Sequence, residues 1–598
     1  MNRCDVRYED TWDLSKLFSS VNEFNNVYDK VKEEILDFSK YKDYDLTNSN
    51  NLLEIMNKSY EIERVLDKLS SYTSLLFDED TTNSDSLSLK GRVSNLCDLY
   101  SNNSYFLVPN LLKIDYSIIK KMIDSNDKLK EYERVFENIF RYKKYTLSDK
   151  EEALLSKIGK MLGNNYETYE MIKDANIKFE DIIVNGEVKE LTNSNYSVYI
   201  ENKDREVRRC AFLSLYKTYK QFKESFSSVL YGNIKEEVVS ARIRGYKSAQ
   251  EESLYHDELD SSVYNNLVNT VNKNMNVVYK YYDLKKEILG LEELHLYDVY
   301  TPIIVDYDRE YSFEEAKRIV LDTVKVLGED YVNTLEQGYR DRWIDIYPNN
   351  GKRTGAYSGG CYDSYPYILL NYQNRFDDVS TLIHESGHSM HSYYSREANS
   401  YPYGYYSIFV AEVASTVNEL LLSKYMYSHS TDKKEKLFIL NRLMELFRAT
   451  IFRQTMFAEF EKDIYDMVEE DEVLTSDVLC NKYYEINKKY FGSNVVIDDE
   501  IRYEWERIPH FYYNFYVYKY ATGLSAACYI VDRILNGEEN AREDYINFLK
   551  CGKSKSPLDS LKVAGVDLSS SKVIEKAIEM FDNTIDEFRD LYREVYGK

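Results

Sequence analysis

Two histidines four residues apart constrain this chain more than any other feature. The run Thr381-Leu-Ile-His384-Glu385-Ser-Gly-His388-Ser-Met-His391 contains His-Glu-x-x-His. On a helix, residues four apart share a face and lie about 6 Å apart along the axis. Both imidazoles then reach a single Zn²⁺, and Glu385 stands beside them, placed to take a proton from the attacking water. Val379, Leu382 and Ile383 make the flanks of a buried helix, and Gly387 lets another backbone or a substrate come close. The chain has only 7 histidines in 598 residues, so two at this spacing in apolar surroundings favour a metal helix over a chance pairing.

A zinc site of this kind takes three protein ligands and a water. His391 lies about 10 Å along the axis from His384, too far for one ion to meet all three histidines comfortably. The spacing also lacks the third histidine of the longer His-Glu-x-x-His-x-x-Gly-x-x-His pattern. The stretch Ser407-Ile-Phe-Val-Ala-Glu412-Val-Ala-Ser-Thr-Val-Asn-Glu419-Leu-Leu offers two acids seven apart in an apolar helix. An acid in such a context is costly unless it is paired or bound to metal. Glu412 is therefore the first choice as third ligand. Glu419, two turns on, is either an orienter of a ligating histidine or an exposed helix residue.

Composition narrows the class. A formal net charge of −25 and a pI near 5.0 disfavour nucleic acid and anionic membranes as partners. The N-terminal residues carry no apolar signal core, and no apolar run approaches the ~18 residues of a membrane span. The 7 cysteines are scattered without a Cys-x-x-Cys, which fits reduced thiols in the cytoplasm. Scarce proline, with Leu, Glu and Lys recurring at helical spacing, predicts a mainly α protein.

Along the chain, helical periodicity runs from Trp12 to Tyr41, with Asp13 near its start, and through 50–77, 85–100, 116–143 and 149–174. Asn185-Gly186 between two apolar runs predicts a β-hairpin. A domain boundary near 195 follows it, dividing a helical 1–195 from 196–598. Helical patterning returns over 203–290, and 295–302 reads as a loop or strand. The glycine-rich 351–360 lacks the phosphate-loop spacing and reads as a mobile loop. Tyr365–Tyr372 predicts a strand with Pro366 near its start, as at a sheet edge. After the zinc helix, helices are expected over 405–425, 431–468, 474–490, 510–536, 540–551 and 570–596.

Peptide-bond hydrolysis also needs donors for the developing oxyanion. The candidate stretch is Arg507-Ile-Pro509-His510-Phe-Tyr-Tyr513-Asn-Phe-Tyr516-Val-Tyr-Lys-Tyr520. Pro509 suits a helix start, which would put Tyr513, Tyr516 and Tyr520 on one face with His510. With 59 tyrosines in the chain, each tyrosine also has a packing role open to it.

Three runs carry a resemblance to a known family: His384 to Ser395, Tyr406 to Glu419, and Ile508 to Gly523. Together with Trp12-Asp-Leu-Ser-Lys-Leu-Phe, Asp78-Glu-Asp-Thr-Thr-Asn and Ala564-Gly-Val-Asp567, they resemble oligoendopeptidase F, a zinc metallopeptidase related to the thimet oligopeptidase family. The resemblance spans the whole chain. It implies a multi-helical metallopeptidase with a small β-sheet beside the zinc helix and a deep substrate cleft. The helical 1–195 would cover that cleft, and 196–598 would form the catalytic domain. It further implies one Zn²⁺ on His384, His388 and Glu412, Glu385 as general base, and an edge strand near 365–372 pairing with the substrate backbone. His510 carries over as a transition-state donor. The glycine-rich spacer of thimet-type relatives is replaced here by Tyr512-Tyr513-Asn514, so Tyr513, Tyr516 and Tyr520 remain candidates. The expected partners are short peptides, not nucleic acid or membrane. A peptidyl-dipeptidase is the alternative, and it would need a cation to grip the substrate's C-terminal carboxylate.

Overall fold

A computed structural model describes residues 1–159, 162–304, 307 and 309–597. Among the described residues helices dominate, and the strands are short, forming two two-stranded pairings and one three-stranded sheet. Among the described residues no helix is long and apolar enough to cross a membrane.

Caps written in the sequence set many of the helix ends. The side chains of Asn48, Asn83 and Asp204 accept backbone N–H groups at the starts of Ser49–Glu79, Ser84–Ser104 and Arg205–Arg244. Gly245, in the left-handed region at φ 87°, ends the 40-residue helix Arg205–Arg244. The first expected helix begins later than its periodicity suggests. Asp13 caps only the short turn Leu14–Lys16, and the helix proper is Val21–Asp37, where Ser20 accepts the N–H of Glu23. The stretch 116–143 is likewise divided, because Asn126 caps a fresh turn, Asp127–Lys130.

Contacts group the chain into two compact units. The first unit comprises Met1–Thr146, Arg309–Leu422 and Ile530–Val566. Its core joins N-terminal residues to the three-stranded sheet: Trp12 meets Tyr367 edge-on at 6.0 Å, and the Tyr367 hydroxyl donates to Asp13 O at 2.6 Å. The buried Lys352 ammonium lies 2.6 Å from the buried Asp345 carboxylate at the end of the same sheet. In that sheet Tyr367–Leu369 is the central strand, parallel to Ile344–Asp345 and antiparallel to Tyr357–Gly359. This corrects two expectations. The strand expected at an edge has both of its sides paired, and part of the glycine-rich stretch forms the edge strand instead. Pro366 is tolerated because it precedes the first paired residue.

The second unit comprises Leu147–Asp308, Ser423–Tyr529 and Asp567–Lys598. The boundary expected near 195 falls inside it. Ile182–Val184 and Glu187–Lys189 form the expected hairpin, with Asn185 and Gly186 at φ 54° and 82°. Arg205 and Arg208 both hold the buried Asp298, at 2.9 and 2.7 Å. The helix expected over 510–536 begins only at Tyr518. Pro509–Tyr512 is a single tight turn, and Asn514 and Phe515 then adopt φ 46° and 57°, a left-handed kink no helix can contain.

Candidate active site

In the first unit, Phe376–Ala398 carries the two histidines. The Asp378 carboxylate accepts the amides of Gln373 and Arg375 at 3.0 and 2.8 Å, closing the helix start and complementing its dipole. The neighbouring helix Ile408–His429 carries Glu412 and Glu419. Gly387 explains how the two helices meet. A Cβ there would sit 2.6 Å from Ser415 Cα and 2.7 Å from Ala414 O. Without a side chain at 387, backbone packs against backbone. The Asn418 amide adds a cross-helix bond to Ile383 O at 3.1 Å.

That approach brings three donor atoms together. His384 Nε2 and His388 Nε2 each lie 3.5 Å from Glu412 Oε2, and the three ligand atoms fall within 4.8 Å of one another. Two imidazole nitrogens and a carboxylate oxygen are the donor set that suits Zn²⁺. The Ser415 hydroxyl donates to Glu412 Oε2 at 3.1 Å and fixes its rotamer. Glu419 takes the Nδ1 side of His384 in a short hydrogen bond, which turns Nε2 toward Glu412. Of the two roles open to Glu419, this hydrogen bond is the contact that an orienter needs.

The electrostatics favour a cation. Three carboxylates, Glu385, Glu412 and Glu419, surround two imidazoles. The Glu412 carboxyl is held down at about 2, first by its hydrogen bond with His388 and against the effect of burial. Burial pulls His384 down, but the Glu419 carboxylate outweighs it and lifts His384 to about 9. A divalent ion would supply the positive charge that protons otherwise provide.

Glu385 leaves the histidine face and is buried. Burial raises its pKa, and Glu412 adds to the rise, while the two imidazoles and the Ser358 amide hydrogen-bonded to it oppose the shift. Ser358 belongs to the edge strand Tyr357–Gly359, and its hydroxyl also meets that of Ser389 on the histidine helix at 2.8 Å. The sheet edge therefore lies against the helix that carries the general-base candidate. His391 is set apart, as expected. Its ring is buried, stacked on Tyr406 with centroids 3.7 Å apart and flanked by Phe548 at 5.2 Å.

In the second unit, His510 gathers the three tyrosines proposed from sequence. Its ring lies 5.6 Å from Tyr513, 6.3 Å from Tyr516 and 5.9 Å from Tyr520. His510 Nε2 is 3.4 Å from the Tyr520 hydroxyl. Burial lowers the His510 pKa and so favours the neutral ring. The grouping arises from the kink at Asn514–Phe515, not from one helix face. Glu461 accepts the Phe515 amide at 2.8 Å, Glu237 accepts the Asn514 side-chain amide at 2.9 Å, and Ser253 donates to Asn514 O at 2.7 Å. Sequence reasoning missed Glu461 and Glu237. Glu461, following Phe457, Ala458 and Phe460, was a findable signal: an acid on an apolar helix face.

Comparison with known proteins points the same way. The model of peptidase family M3 matches residues 198–580, and that of the N-terminal region of oligopeptidase F matches 110–179. Oligopeptidase PepF of Bacillus subtilis is 43% identical over 595 residues, covering 99% of this chain and 89% of that protein. An oligoendopeptidase F homolog of Lactococcus lactis subsp. lactis is 37% identical over 595 residues, covering 99% of this chain and 98% of that one. The crystal structure of oligoendopeptidase-F from Enterococcus faecium superposes with a TM-score of 0.74 at 33% identity, covering 96% of this chain and 99% of that one.

Proposed function

Because this chain belongs to peptidase family M3, we propose that it is a zinc-dependent oligoendopeptidase hydrolysing internal bonds of short, unstructured peptides in the cytoplasm. The observation that carries the reading is the convergence of His384 Nε2, His388 Nε2 and Glu412 Oε2 beside the buried Glu385. These three side chains would hold one zinc ion, which when bound would supply Lewis-acid activation of the attacking water and of the scissile carbonyl.

Glu385 accepts the proton of the attacking water and delivers it to the leaving amine, a task eased by the raised pKa that burial confers. Glu419 holds the tautomer and orientation of His384. His510, with Tyr513, Tyr516 and Tyr520 as candidate companions, donates hydrogen bonds to the developing oxyanion. The substrate backbone pairs along the outer side of Tyr357–Gly359 at groups other than the Ser358 amide, which Glu385 holds, since Tyr367–Leu369 has no free side. Backbone pairing is largely indifferent to side chains, so many sequences would be accepted. Restriction to short, flexible chains is in keeping with the relatives named oligopeptidase and oligoendopeptidase.

A peptide length series and unfolded casein, digested and read by mass spectrometry with and without chelator, test the reading. Peptides of about a dozen residues should be cut at internal bonds, chelation should stop it, and casein should persist. Rapid loss of casein would end the size restriction. Release of C-terminal dipeptides alone would favour a peptidyl-dipeptidase.

A further inference from the structure

The second unit holds a cavity of about 260 Å³ directly behind the turn that carries His510; Ile508 and Arg507 form part of its wall. Two arginines line it, and they differ in kind. Arg453 is committed: its guanidinium bonds Glu504 at 2.8 and 3.4 Å, and the same carboxylate also accepts the hydroxyls of Tyr216 at 3.2 Å and Tyr483 at 2.7 Å. Glu504 makes no hydrogen bond with Arg507, although the two charges favour each other through space. The half-buried Arg507 guanidinium stacks over Tyr196 at 4.8 Å and, among the described residues, makes no hydrogen bond. Glu201, the other acid in the lining, is exposed and already has a partner. The hydroxyls of Tyr196 and Tyr300, also in the lining, likewise make no hydrogen bond within the described protein.

The donors of Arg507 find no acceptor among the described residues and stay open to solvent, ready for charge-assisted hydrogen bonds to an anion. What the cavity offers a ligand is the unused donors of Arg507 and of the two tyrosine hydroxyls. A dianion such as phosphate would over-neutralise a single free guanidinium. A carboxylate matches it, because the planar fork of arginine meets two carboxylate oxygens at once. Ile200, Phe212, Leu296, Phe491 and Ile501 give the wall an apolar part, beside the polar Asn193 and Ser197. The volume lies just under the range of typical ligand pockets, which begins at roughly 300 Å³. That leaves room for about one residue.

We propose that this cavity binds the C-terminal residue of a peptide, with Arg507 gripping the α-carboxylate, the Tyr196 and Tyr300 hydroxyls supplying further donors, and the apolar wall taking an aliphatic side chain. The assignment rests on the reading of the chain as a peptidase, since it is peptides that bring such termini. The terminus is either the substrate's own or the one newly made on the acyl-side product.

Calorimetric titration of N-acetyl-L-leucine and N-acetyl-L-leucinamide tests it, using wild type, Arg507→Met and Ser197→Trp. Ser197 is an exposed residue of the lining, so tryptophan there plugs the cavity without disturbing a core. The acid should bind wild type at least about tenfold more tightly than the amide, and both variants should lose that difference while keeping wild-type melting temperature and zinc content. Equal binding of acid and amide overturns the proposal. So does acid binding that survives Arg507→Met and vanishes on chelation, which would place the carboxylate on the metal. Titrating the two purified products of a cleaved peptide then names the source of the terminus by which one depends on Arg507. Hydrolysis of a C-terminally amidated, internally quenched peptide is followed in parallel. Failure of wild type to cut it would count against the peptidase reading, whereas cutting without Arg507-dependent binding would count against this site alone.

Discussion

At the scale of single residues, the site depends on a side chain that is missing. Gly387 allows Phe376–Ala398 and Ile408–His429 to touch backbone to backbone, and a methyl group would meet Ser415 N at 2.8 Å as well as its Cα at 2.6 Å. Those atoms are main chain and cannot rotate away, so Gly387→Ala must push the helices apart and carry Glu412 away from the histidines. The expected outcome is a folded protein that loses zinc affinity by tenfold or more with activity falling in step, read by metal analysis after dialysis against a weak chelator. Retention of full zinc content would show that the ligand set does not rely on this contact. Glu385 makes the opposite prediction, because its side chain is not among the three converging groups. Glu385→Gln should keep one zinc per chain while turnover falls about 10³-fold, within the roughly 10²–10⁴ that a positioned general base contributes. Substantial residual hydrolysis would remove Glu385 from the proton transfer.

At the scale of elements, the kink at Asn514–Phe515 is held by the buried Glu461 and the half-buried Glu237. Glu461 is fully buried, and burial pushes its pKa from 4.5 up to about 8, with the Phe515 amide and Lys519 pulling the other way. Between those two values the folded state binds a proton that the unfolded state has released. Stability from this group is therefore fully present below pH 4.5 and is lost as pH rises toward 8, at about 1.4 kcal/mol per pH unit. Glu237, lifted to about 7 mainly by burial, acts in the same direction. Glu461→Gln keeps an oxygen for the Phe515 amide but has no proton to lose. Its melting temperature should equal that of wild type near pH 5 and exceed it increasingly toward pH 8. A gap that does not change with pH would mean Glu461 is not the titrating group.

This element also shows where sequence reading stops. The histidine helix, the Glu412 helix and the Asn185-Gly186 hairpin were legible because their signals are local: a four-residue spacing, acids in an apolar run, a turn dipeptide. The kink was not legible, because asparagine and phenylalanine take positive φ here only under contacts from residues 237, 253 and 461. The grouping of His510 with Tyr513, Tyr516 and Tyr520 was foreseen, but for the wrong geometric reason. The central position of Tyr367–Leu369 was hidden for a related cause. Both of its neighbours, two short strands at 344–345 and 357–359, lie in stretches with no strand periodicity of their own.

At the scale of the whole molecule, charge is the dominant property. With 102 acidic against 77 basic side chains, the chain carries −25 at pH 7 and surrounds itself with a negative potential. Its proposed metal-binding centre is acidic too, with Glu385, Glu412 and Glu419 around two imidazoles. Such a field concentrates cationic peptides near the surface and repels anionic ones, and it does so over the screening length: about 30 Å at 0.01 M salt and only ~6 Å at 0.3 M. The effect belongs to encounter and binding, not to the bond-breaking step. Two amidated peptides of equal length are therefore expected to diverge at low salt, one with several lysines and one with glutamates in their places. The lysine peptide should show the higher kcat/KM at 0.01 M salt, through KM. Raising salt to 0.3 M should lower its value and raise that of the glutamate peptide until the two approach each other, with kcat nearly constant for both. Amidation keeps the carboxylate pocket at Arg507 out of the comparison. Steady-state kinetics across the salt series decides the matter: if the two peptides respond to salt in parallel, the acidity of the molecule is a matter of solubility and does not select its substrates.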